Sequence, residues 1–197
     1  MSLEIVNTVA AIGTFIVIGA TAIAAVVQLR HMRANNQLEG LLTVLARVED
    51  ANFNKWMTDA AVQLPTFLAD PAYRRAIMDD TYDRSVSWLF LGNSYDWVGS
   101  LVKNRLIPEM AFMDVYSYRV IRAWEVLKGV LILLRRTRSV AVWENFEYLY
   151  LRAKRWTERN PNGTLPKNLT RVTLEDPWLL EDLTFMSEQQ TQLIKRK

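Results

Sequence analysis

IVNTVAAIGTFIVIGATAIAAVVQL, residues 5–29, is a run of 25 residues without a formal charge. As an α-helix it would be about 37 Å long, and the hydrocarbon core of a bilayer is about 30 Å thick. Burial in the core of a soluble protein is the weaker interpretation, because a stretch of this length seldom lacks every charge there. The run therefore predicts one N-terminal transmembrane helix and defines a first region, residues 1–29.

Charges on either side of this apolar stretch predict its orientation. Glu4 precedes it, and Arg30, His31 and Arg33 follow it directly. Because basic residues beside a membrane helix are enriched on the cytoplasmic side, we expect the N-terminus outside and the rest of the chain in the cytoplasm. His31 is interpreted as a residue of the membrane interface, and not as a ligand or a base.

A cleaved signal peptide is the main alternative to an anchor. Residues 20–22 and 22–24, Ala-Thr-Ala and Ala-Ile-Ala, have the small-x-small form of a cleavage site. A secretory peptide starts with positive charge, however, whereas this sequence starts Met-Ser-Leu-Glu and places its basic residues after the apolar stretch. The charge pattern favours a retained anchor.

Small residues four positions apart within the stretch could let a second helix approach closely. Ala20 lies four residues before Ala24, and Thr21 lies four residues before Ala25. Small residues at this spacing are typical of helix–helix contacts in lipid. They are also common in any membrane helix, so the sequence leaves open whether this face binds a second copy.

The composition of the rest of the chain excludes several classes of site. Beyond the apolar stretch the chain carries 24 basic and 20 acidic residues, a balance of 24 − 20 = +4 that is mild for a nucleic-acid-binding protein. With no cysteine and a single histidine, it lacks a thiolate nucleophile and the ligands of ordinary zinc sites. No metal and no cofactor is predicted.

Apolar residues at helical spacing continue after the apolar stretch and predict an all-α fold. No proline interrupts the chain before Pro65, so we expect the anchor to continue into the cytoplasm as one long rod. Asn35-Asn36 is interpreted as a solvated turn, with a register-setting pair in a coiled coil as the alternative. The inward stripe of the rod is predicted at Leu38, Leu41, Leu45 and Val48.

Proline and capping residues mark the further helices of a small bundle. One helix is expected over 51–64, and Asp70-Pro71 and Pro108-Glu109 each open another. Helical spacing continues across Gly92-Asn93, so the helix that starts at Pro71 is expected to run through this pair. A further helix is expected over 140–158. The residues predicted to face the core are Trp88, Leu91, Tyr95, Val98, Val102 and Leu106, then Met113, Val120, Trp124, Leu127, Leu131 and Leu134, then Phe146, Leu149, Ala153 and Trp156.

The chain therefore divides into three regions. The anchor at 1–29 is followed by a helical cytoplasmic domain at 30–159. The third region, 160–197, begins with a loop rich in proline and glycine, and Asp176-Pro177 then predicts a final amphipathic helix.

Two pairs of acidic residues have the spacing that carboxylates need to share a proton or a cation. Asp79 lies four residues before Asp83, and Glu144 lies three residues before Glu147. Such pairs are common on solvated helices, and Arg75 is placed to form an ion pair with Asp79. No phosphate loop, activated-serine turn or zinc-helix motif is present, so we do not predict an enzyme, and an acidic cleft is the catalytic alternative.

Basic residues cluster late in the helical region and alternate with aromatic residues. An ordinary solvated face is the first interpretation, and attraction to anionic lipid headgroups is the second. Nucleic acid comes last, because the aromatic residues fall at core spacing. The residues expected to face headgroups under the second interpretation are Arg135, Arg136, Arg138, Arg152, Arg155 and Arg159.

Three segments, 28–45, 91–136 and 143–156, together resemble a bacterial family of short single-pass membrane proteins known only as a domain of unknown function. The resemblance covers about residues 5–159. It implies a helix-capping Gly92-Asn93 pair, and packing roles for Trp124 and for the Phe-Glu-Tyr-Leu segment at 146–149. It implies no known activity, so no catalytic residue follows from it.

An anchor continuous with a helical stripe, without a catalytic motif, favours a membrane-anchored interaction or scaffold protein. Its expected partners are the lipid bilayer and either a second copy or another membrane or cytoplasmic protein. The alternative is a membrane-acting effector of a bacterial defence or toxin system, which would form a pore or lesion. The small-residue face of the anchor is the feature that supports this alternative.

Overall fold

The computed structural model describes residues 3–178 and 182–183, and within them the chain forms six helices and no strand. The all-α prediction is confirmed. The chain forms two compact units, Met1–Gly163 and Thr164–Lys197. The helices, all in the first unit, are α1 (Leu3–Val48), α2 (Ala51–Ala69), α3 (Pro71–Met78), α4 (Ser87–Lys103), α5 (Glu109–Thr137) and α6 (Glu144–Arg159).

Helix α1 is a single rod of 46 residues, about 69 Å long at 1.5 Å per residue. It includes the apolar stretch and passes through Asn35-Asn36 without a break, so the predicted rod is confirmed and the predicted turn is wrong. It is long and apolar enough to span a membrane, and no residue of its most apolar segment is buried by the rest of the described structure.

The inward face of α1 is rotated from the predicted stripe. Val44 and Val48 are buried, but Leu38 is 54% exposed. Successive residues of a helix are separated by about 100°, and at this level the side chain that faces the bundle is the adjacent Gln37. Placing Leu38 on the stripe was therefore wrong.

Helix α2 is longer than predicted because Pro65 does not end it. The prediction stops at Leu64, and the structure continues the helix to Ala69. Proline removes the N–H that would bond the carbonyl four residues earlier, but Pro65 lies exposed at the surface, where water can bond that carbonyl. Leu64 is buried and Leu68 packs against the core, so packing on both sides of the proline stabilises the helix.

A turn divides the helix that was predicted to run from Pro71 through the glycine–asparagine pair. The start is confirmed, since Asp70 Oδ1 accepts a hydrogen bond of 2.8 Å from the Ala72 N–H. The helix ends at Met78, and Asp80 then adopts a left-handed conformation with a φ of 61°. Because that conformation cannot continue a right-handed helix, the chain turns before α4 begins.

Helix α4 runs through Gly92-Asn93, as its apolar spacing predicted, so the capping role implied for this pair is wrong. A Cβ at Gly92 would lie 2.1 Å from the indole ring of Trp143. A Cβ at Gly99 would lie 2.0 Å from the backbone oxygen of Asn145. The two glycines therefore allow the start of α6 to approach α4 more closely than any side chain would permit.

The stripe predicted for α4 is buried except at its end. Leu106 lies beyond the last residue of the helix and is 55% exposed. Helix α5 begins after Pro108 as predicted, and its predicted stripe is buried apart from Trp124, which is partly buried. Helix α6 begins four residues later than predicted, because Trp143 adopts a φ of 51°.

The region after α6 is irregular over 160–176, as predicted. The predicted capping residue is in place, since Asp176 Oδ1 accepts a hydrogen bond of 3.0 Å from the Trp178 N–H. The final helix itself falls largely on residues outside the described ranges.

We predict that Gly99→Ala destabilises the bundle by about 1–3 kcal/mol, because the added methyl group meets backbone that cannot move independently of α6. Gly19→Ala is the matched control, since a Cβ there meets nothing within 4 Å. Thermal unfolding of the full chain in detergent measures both changes. An unchanged melting temperature for Gly99→Ala would show that the close approach of α4 and α6 is not required.

Candidate functional site

Helix α1 joins the bundle through polar contacts at its C-terminal end. Glu49 Oε1 accepts a hydrogen bond of 2.7 Å from the Tyr116 hydroxyl and forms an ion pair of 3.1 Å with Arg119. Arg47, two residues earlier, donates a hydrogen bond of 3.4 Å to the Ser94 hydroxyl. Contacts to both α4 and α5 thus hold the end of the rod.

A second set of contacts lies nearer the N-terminus of α1, closer to the apolar stretch. Gln37 Nε2 donates a hydrogen bond of 3.1 Å to the backbone oxygen of Arg105. A Cβ at Gly40 would lie only 3.2 Å from Ile107 Cγ2. The loop between α4 and α5 therefore contacts α1 about two to three helical turns beyond Leu29.

The residues predicted to flank the membrane remain exposed on α1. Arg30, His31 and Arg33 all lie on its open surface. Arg33 also lines a pocket of about 430 Å³ that includes Arg105 and Arg152. The structure thus brings one of the three next to basic residues of the bundle.

The small residues predicted to contact a second helix are exposed as well. They are Ala20, Thr21, Ala24 and Ala25. The Thr21 hydroxyl donates a hydrogen bond of 2.8 Å to the carbonyl of Val17 and so is satisfied within its own helix. This face therefore offers a second helix close packing rather than a hydrogen bond.

Three of the six arginines predicted to face headgroups are paired with carboxylates. The pairs are Arg135 with Glu147 at 2.7 Å, Arg152 with Glu109 at 2.6 Å, and Arg138 with Asp80. Arg136, Arg155 and Arg159 are exposed, and no ion pair involves them among the described residues. The cluster thus combines structural ion pairs, which stabilise loops and helix ends, with exposed charges. Its attraction to headgroups stays a prediction.

The predicted acidic pair on one helix does not form, because Asp79 and Asp83 lie in the turn after α3. Asp83 accepts hydrogen bonds from the Ser85 hydroxyl at 2.7 Å and the Ser85 N–H at 2.8 Å. These bonds stabilise the carboxylate and lower the pKa of Asp83. The predicted ion pair of Arg75 with Asp79 is absent from the described structure, where the Asp79 N–H bonds the Arg75 carbonyl at 2.8 Å.

The second acidic pair also lacks a shared site. Glu144 forms an ion pair of 3.0 Å with Lys103, whereas Glu147 pairs with Arg135. Each carboxylate is thus neutralised by its own cation. Within the described part of the chain, no three acidic or histidine side chains come together in a group that could hold a metal ion.

The residues that carry the family resemblance meet in one aromatic cluster. Asn93 Oδ1 accepts a hydrogen bond of 2.9 Å from the Trp143 indole N–H. The ring of Phe146 stacks on Tyr95 with centroids 5.0 Å apart and meets Trp124 edge-on at 5.2 Å. Such contacts add to the burial of apolar area, so these residues pack α4, α5 and α6 together.

Asp96 caps a helix, a structural role that the sequence analysis did not predict. Its Oδ1 accepts hydrogen bonds from the N–H groups of Asn145 at 3.0 Å and Phe146 at 3.1 Å. Trp143, at the start of α6, offers no side-chain oxygen for this purpose, so a carboxylate from α4 caps the helix instead. No local pattern marks a cap that comes from a distant helix.

This fold defines a class of protein: an all-α protein in which one long apolar helix continues into a helical bundle. The chain belongs to the family described as Domain of unknown function (DUF4760), whose model matches residues 15–156. The match begins inside the apolar stretch and ends in α6, so it includes the contacts between α1 and the bundle and also the aromatic cluster. Comparison with curated proteins found no match, and neither did comparison with solved structures.

We predict that the stabilising effect of the Tyr116 hydroxyl diminishes above pH 10. Burial, together with the hydrogen bond to Glu49 and its negative charge, raises the pKa of Tyr116 to about 12. In the unfolded chain the pKa is about 10, so between these values the unfolded state loses a proton that the folded state keeps. Stability is therefore lost as the pH rises through this window.

Urea unfolding of the protein and of Tyr116→Phe at pH 9 and pH 11.5 measures this effect. The free energy of unfolding should differ more between the two proteins at pH 9 than at pH 11.5. Tyr118→Phe, at a tyrosine that is 71% exposed, is the control. An equal difference at both pH values would contradict the expected coupling to Glu49.

Proposed function

We propose that the chain is a bacterial inner-membrane protein in which α1 is the anchor and the bundle is a cytoplasmic domain that binds a protein partner. The first partner proposed is a second copy of the chain. One observation carries the proposal: α1 is a single helix whose most apolar segment is not buried by any other described part of the chain, while its C-terminal end is held by the bundle.

The exposed surface of the anchor supports its placement in lipid. Phe15 is 79% exposed, Ile18 62% and Ile23 68%. Side chains of this kind each gain about 1.5–3 kcal/mol when they leave water, so a helix that exposes so many needs an apolar environment. In a bilayer the backbone also requires a helix, because all its polar groups are then bonded internally.

The proposed orientation rests on the distribution of charge along the chain. Every Lys and Arg follows the apolar stretch, beginning at Arg30, and only Glu4 precedes it. Cytoplasmic segments next to a membrane helix carry this excess of basic residues. With that orientation the bundle is available to cytoplasmic partners.

An apolar groove between α2 and α5 supports a protein partner. It has a volume of about 520 Å³, and its apolar lining includes Leu64, Leu68, Val126 and Ile132. Ile132 is 58% exposed, on the helix whose opposite side is buried in the core. Apolar surface of this kind, with charged residues such as Lys128 at its edge, is typical of sites that bind protein.

The proposal includes no catalytic activity, cofactor or nucleic-acid partner. The supporting observations are the separate pairing of the acidic residues and the mild charge of the domain. The effector alternative is distinguished by growth: arrest on expression that Ala24→Leu abolishes would favour a pore or lesion, and normal growth at high expression would exclude it.

A reporter fusion tests the proposed topology. A phosphatase that is active only outside the cytoplasm should be inactive when fused after Lys197, while a fluorescent protein that folds in the cytoplasm should be active there. The expected reason is the basic flank at residues 30–33. The reversed variant, Glu4→Lys with Arg30→Glu and Arg33→Glu, should show weaker cytoplasmic retention. Strong phosphatase activity of the unmodified fusion would overturn the topology.

Disulfide crosslinking in membranes tests self-association, and the absence of cysteine in the chain makes single substitutions unambiguous. Ala24→Cys should form a covalent dimer under mild oxidation, because the small-residue face permits close approach. Val26→Cys, about 160° away around the helix, is the matched control and should remain largely monomeric. Exclusively monomeric protein for Ala24→Cys, with no dimer in amine crosslinking of the bundle, would contradict self-association.

A further inference from the structure

Four basic side chains meet where α1 passes the loop between α4 and α5. They line the pocket of about 430 Å³ already noted, hereafter the basic pocket, and are Arg33, Lys103, Arg105 and Arg152. Glu109 also lines it and pairs with Arg152 at 2.6 Å, and Glu144 pairs with Lys103 at 3.0 Å. Counting both carboxylates, the pocket keeps a charge of 4 − 2 = +2.

An apolar groove adjoins the basic pocket and shares Arg33, Gln37 and Arg105 with it. This groove, hereafter the junction groove, has a volume of about 620 Å³ and includes Leu29 and Leu106. Those two side chains are 65% and 55% exposed. A continuous surface thus changes from apolar to basic along the side of α1.

The position of this surface matches the expected edge of the membrane. Leu29 ends the uncharged stretch, and Arg33 lies four residues later, about 6 Å further along the helix. The junction groove therefore begins at the expected edge of the hydrocarbon and extends along α1 to Gly40, and the basic pocket lies beside it at Arg33 and Gln37. An amphipathic lipid likewise combines an apolar part with an adjoining charged part.

Arg105 occupies the left-handed position that ends α4. It adopts a φ of 58°, and its N–H bonds the Val102 carbonyl at 3.0 Å, while the Leu106 N–H bonds the Leu101 carbonyl at 2.9 Å. This pair of bonds ends many helices, and glycine is the residue that suits the left-handed position. An arginine in this position costs more conformational energy than a glycine would.

We propose that the basic pocket and the junction groove together bind one anionic phospholipid. Arg33 and Arg105, which have no ion-pair partner among the described residues, would bind the phosphate, and one acyl chain would lie against Leu29 and Leu106. The proposal rests on the membrane location proposed above. Arginine suits this role because its planar guanidinium binds phosphate oxygens in pairs.

Binding of an anionic lipid would also link the membrane to the bundle. Arg105 belongs to the loop that contacts Gln37 of α1, and Arg152 belongs to α6. A phosphate held between Arg33 and Arg105 would therefore join the anchor to the bundle at a second level, above the contacts of Glu49. A ligand that binds only the folded chain in this way raises its thermal stability.

Melting temperatures of the full chain in a neutral detergent test the proposal. Dioleoylphosphatidylglycerol should raise the melting temperature, and dioleoylphosphatidylcholine should raise it much less because its headgroup has no net charge. Sodium phosphate at the same concentration tests for a simple anion site. Equal stabilisation by both lipids, or by phosphate alone, would overturn an anionic lipid as the ligand.

Two variants locate the site. Arg33→Gln with Arg105→Gln should weaken binding of phosphatidylglycerol about 30-fold, since each basic residue near an anionic surface contributes about a fivefold factor. Arg75→Gln with Arg122→Gln removes the same charge from exposed positions that line neither cavity and lie outside the arginine cluster expected to face headgroups, so it should leave binding largely unchanged. An equal loss in both double variants would show a general charge effect and contradict the site.

Arg105→Gly separates binding from stability. Glycine relieves the left-handed conformation, so the melting temperature without lipid should rise, while the shift produced by phosphatidylglycerol should shrink. A merely structural role for the arginine predicts no loss of the lipid-induced shift, and that result would overturn its assignment to the phosphate.

Fractionation of cells distinguishes failure of this inference from failure of the proposed function. Protein that stays in the membrane after alkaline washing, but shows no preference for phosphatidylglycerol, would remove the lipid site and leave the anchor intact. Protein found in the soluble fraction would overturn the proposed anchor, and with it the basis for a lipid at the junction.

Discussion

The unbroken backbone of α1 is the constraint on which the rest of the structure depends. The apolar stretch is helical throughout, and a helix bonds its backbone groups internally, as any segment that crosses hydrocarbon must. The same hydrogen-bonded ladder continues for 19 residues beyond Leu29 to Val48. A helix does not bend easily without proline or an inserted side chain. The bundle therefore packs against the end of a rod that continues in line with the apolar stretch.

The bundle meets that rod at two levels by different chemistry. Near its end, Glu49 accepts a hydrogen bond from the Tyr116 hydroxyl and forms an ion pair with Arg119. Higher up, Gln37 bonds the backbone of Arg105, next to basic side chains. The lower contact is complete within the chain, whereas the upper one leaves cations available. The proposed phospholipid would bind at the upper level for this reason.

The core of the bundle explains how the residues that carry the family resemblance pack together. Trp143 occupies space that only glycine at position 92 leaves open, and Asn93 satisfies its indole N–H. Phe146 then packs between Tyr95 and Trp124. The packing of these residues is specific because their shapes fit together and because the Trp143 indole N–H is hydrogen-bonded. The same arrangement places the capping carboxylate of Asp96 at the start of α6.

The sequence by itself determined most of the helices and the long apolar segment of α1, because apolar periodicity, proline and capping residues act within a few positions of the chain. It predicted the rod, the cap at Asp70 and the buried stripe of α5 for that reason. Only the tertiary structure decided that α2 continues through Pro65, that a turn separates α3 from α4, and that Arg33 joins Arg105 and Arg152 in one pocket. Those outcomes depend on contacts between residues far apart in sequence, and no local spacing encodes which distant side chain will supply a packing surface, a cap or a second charge.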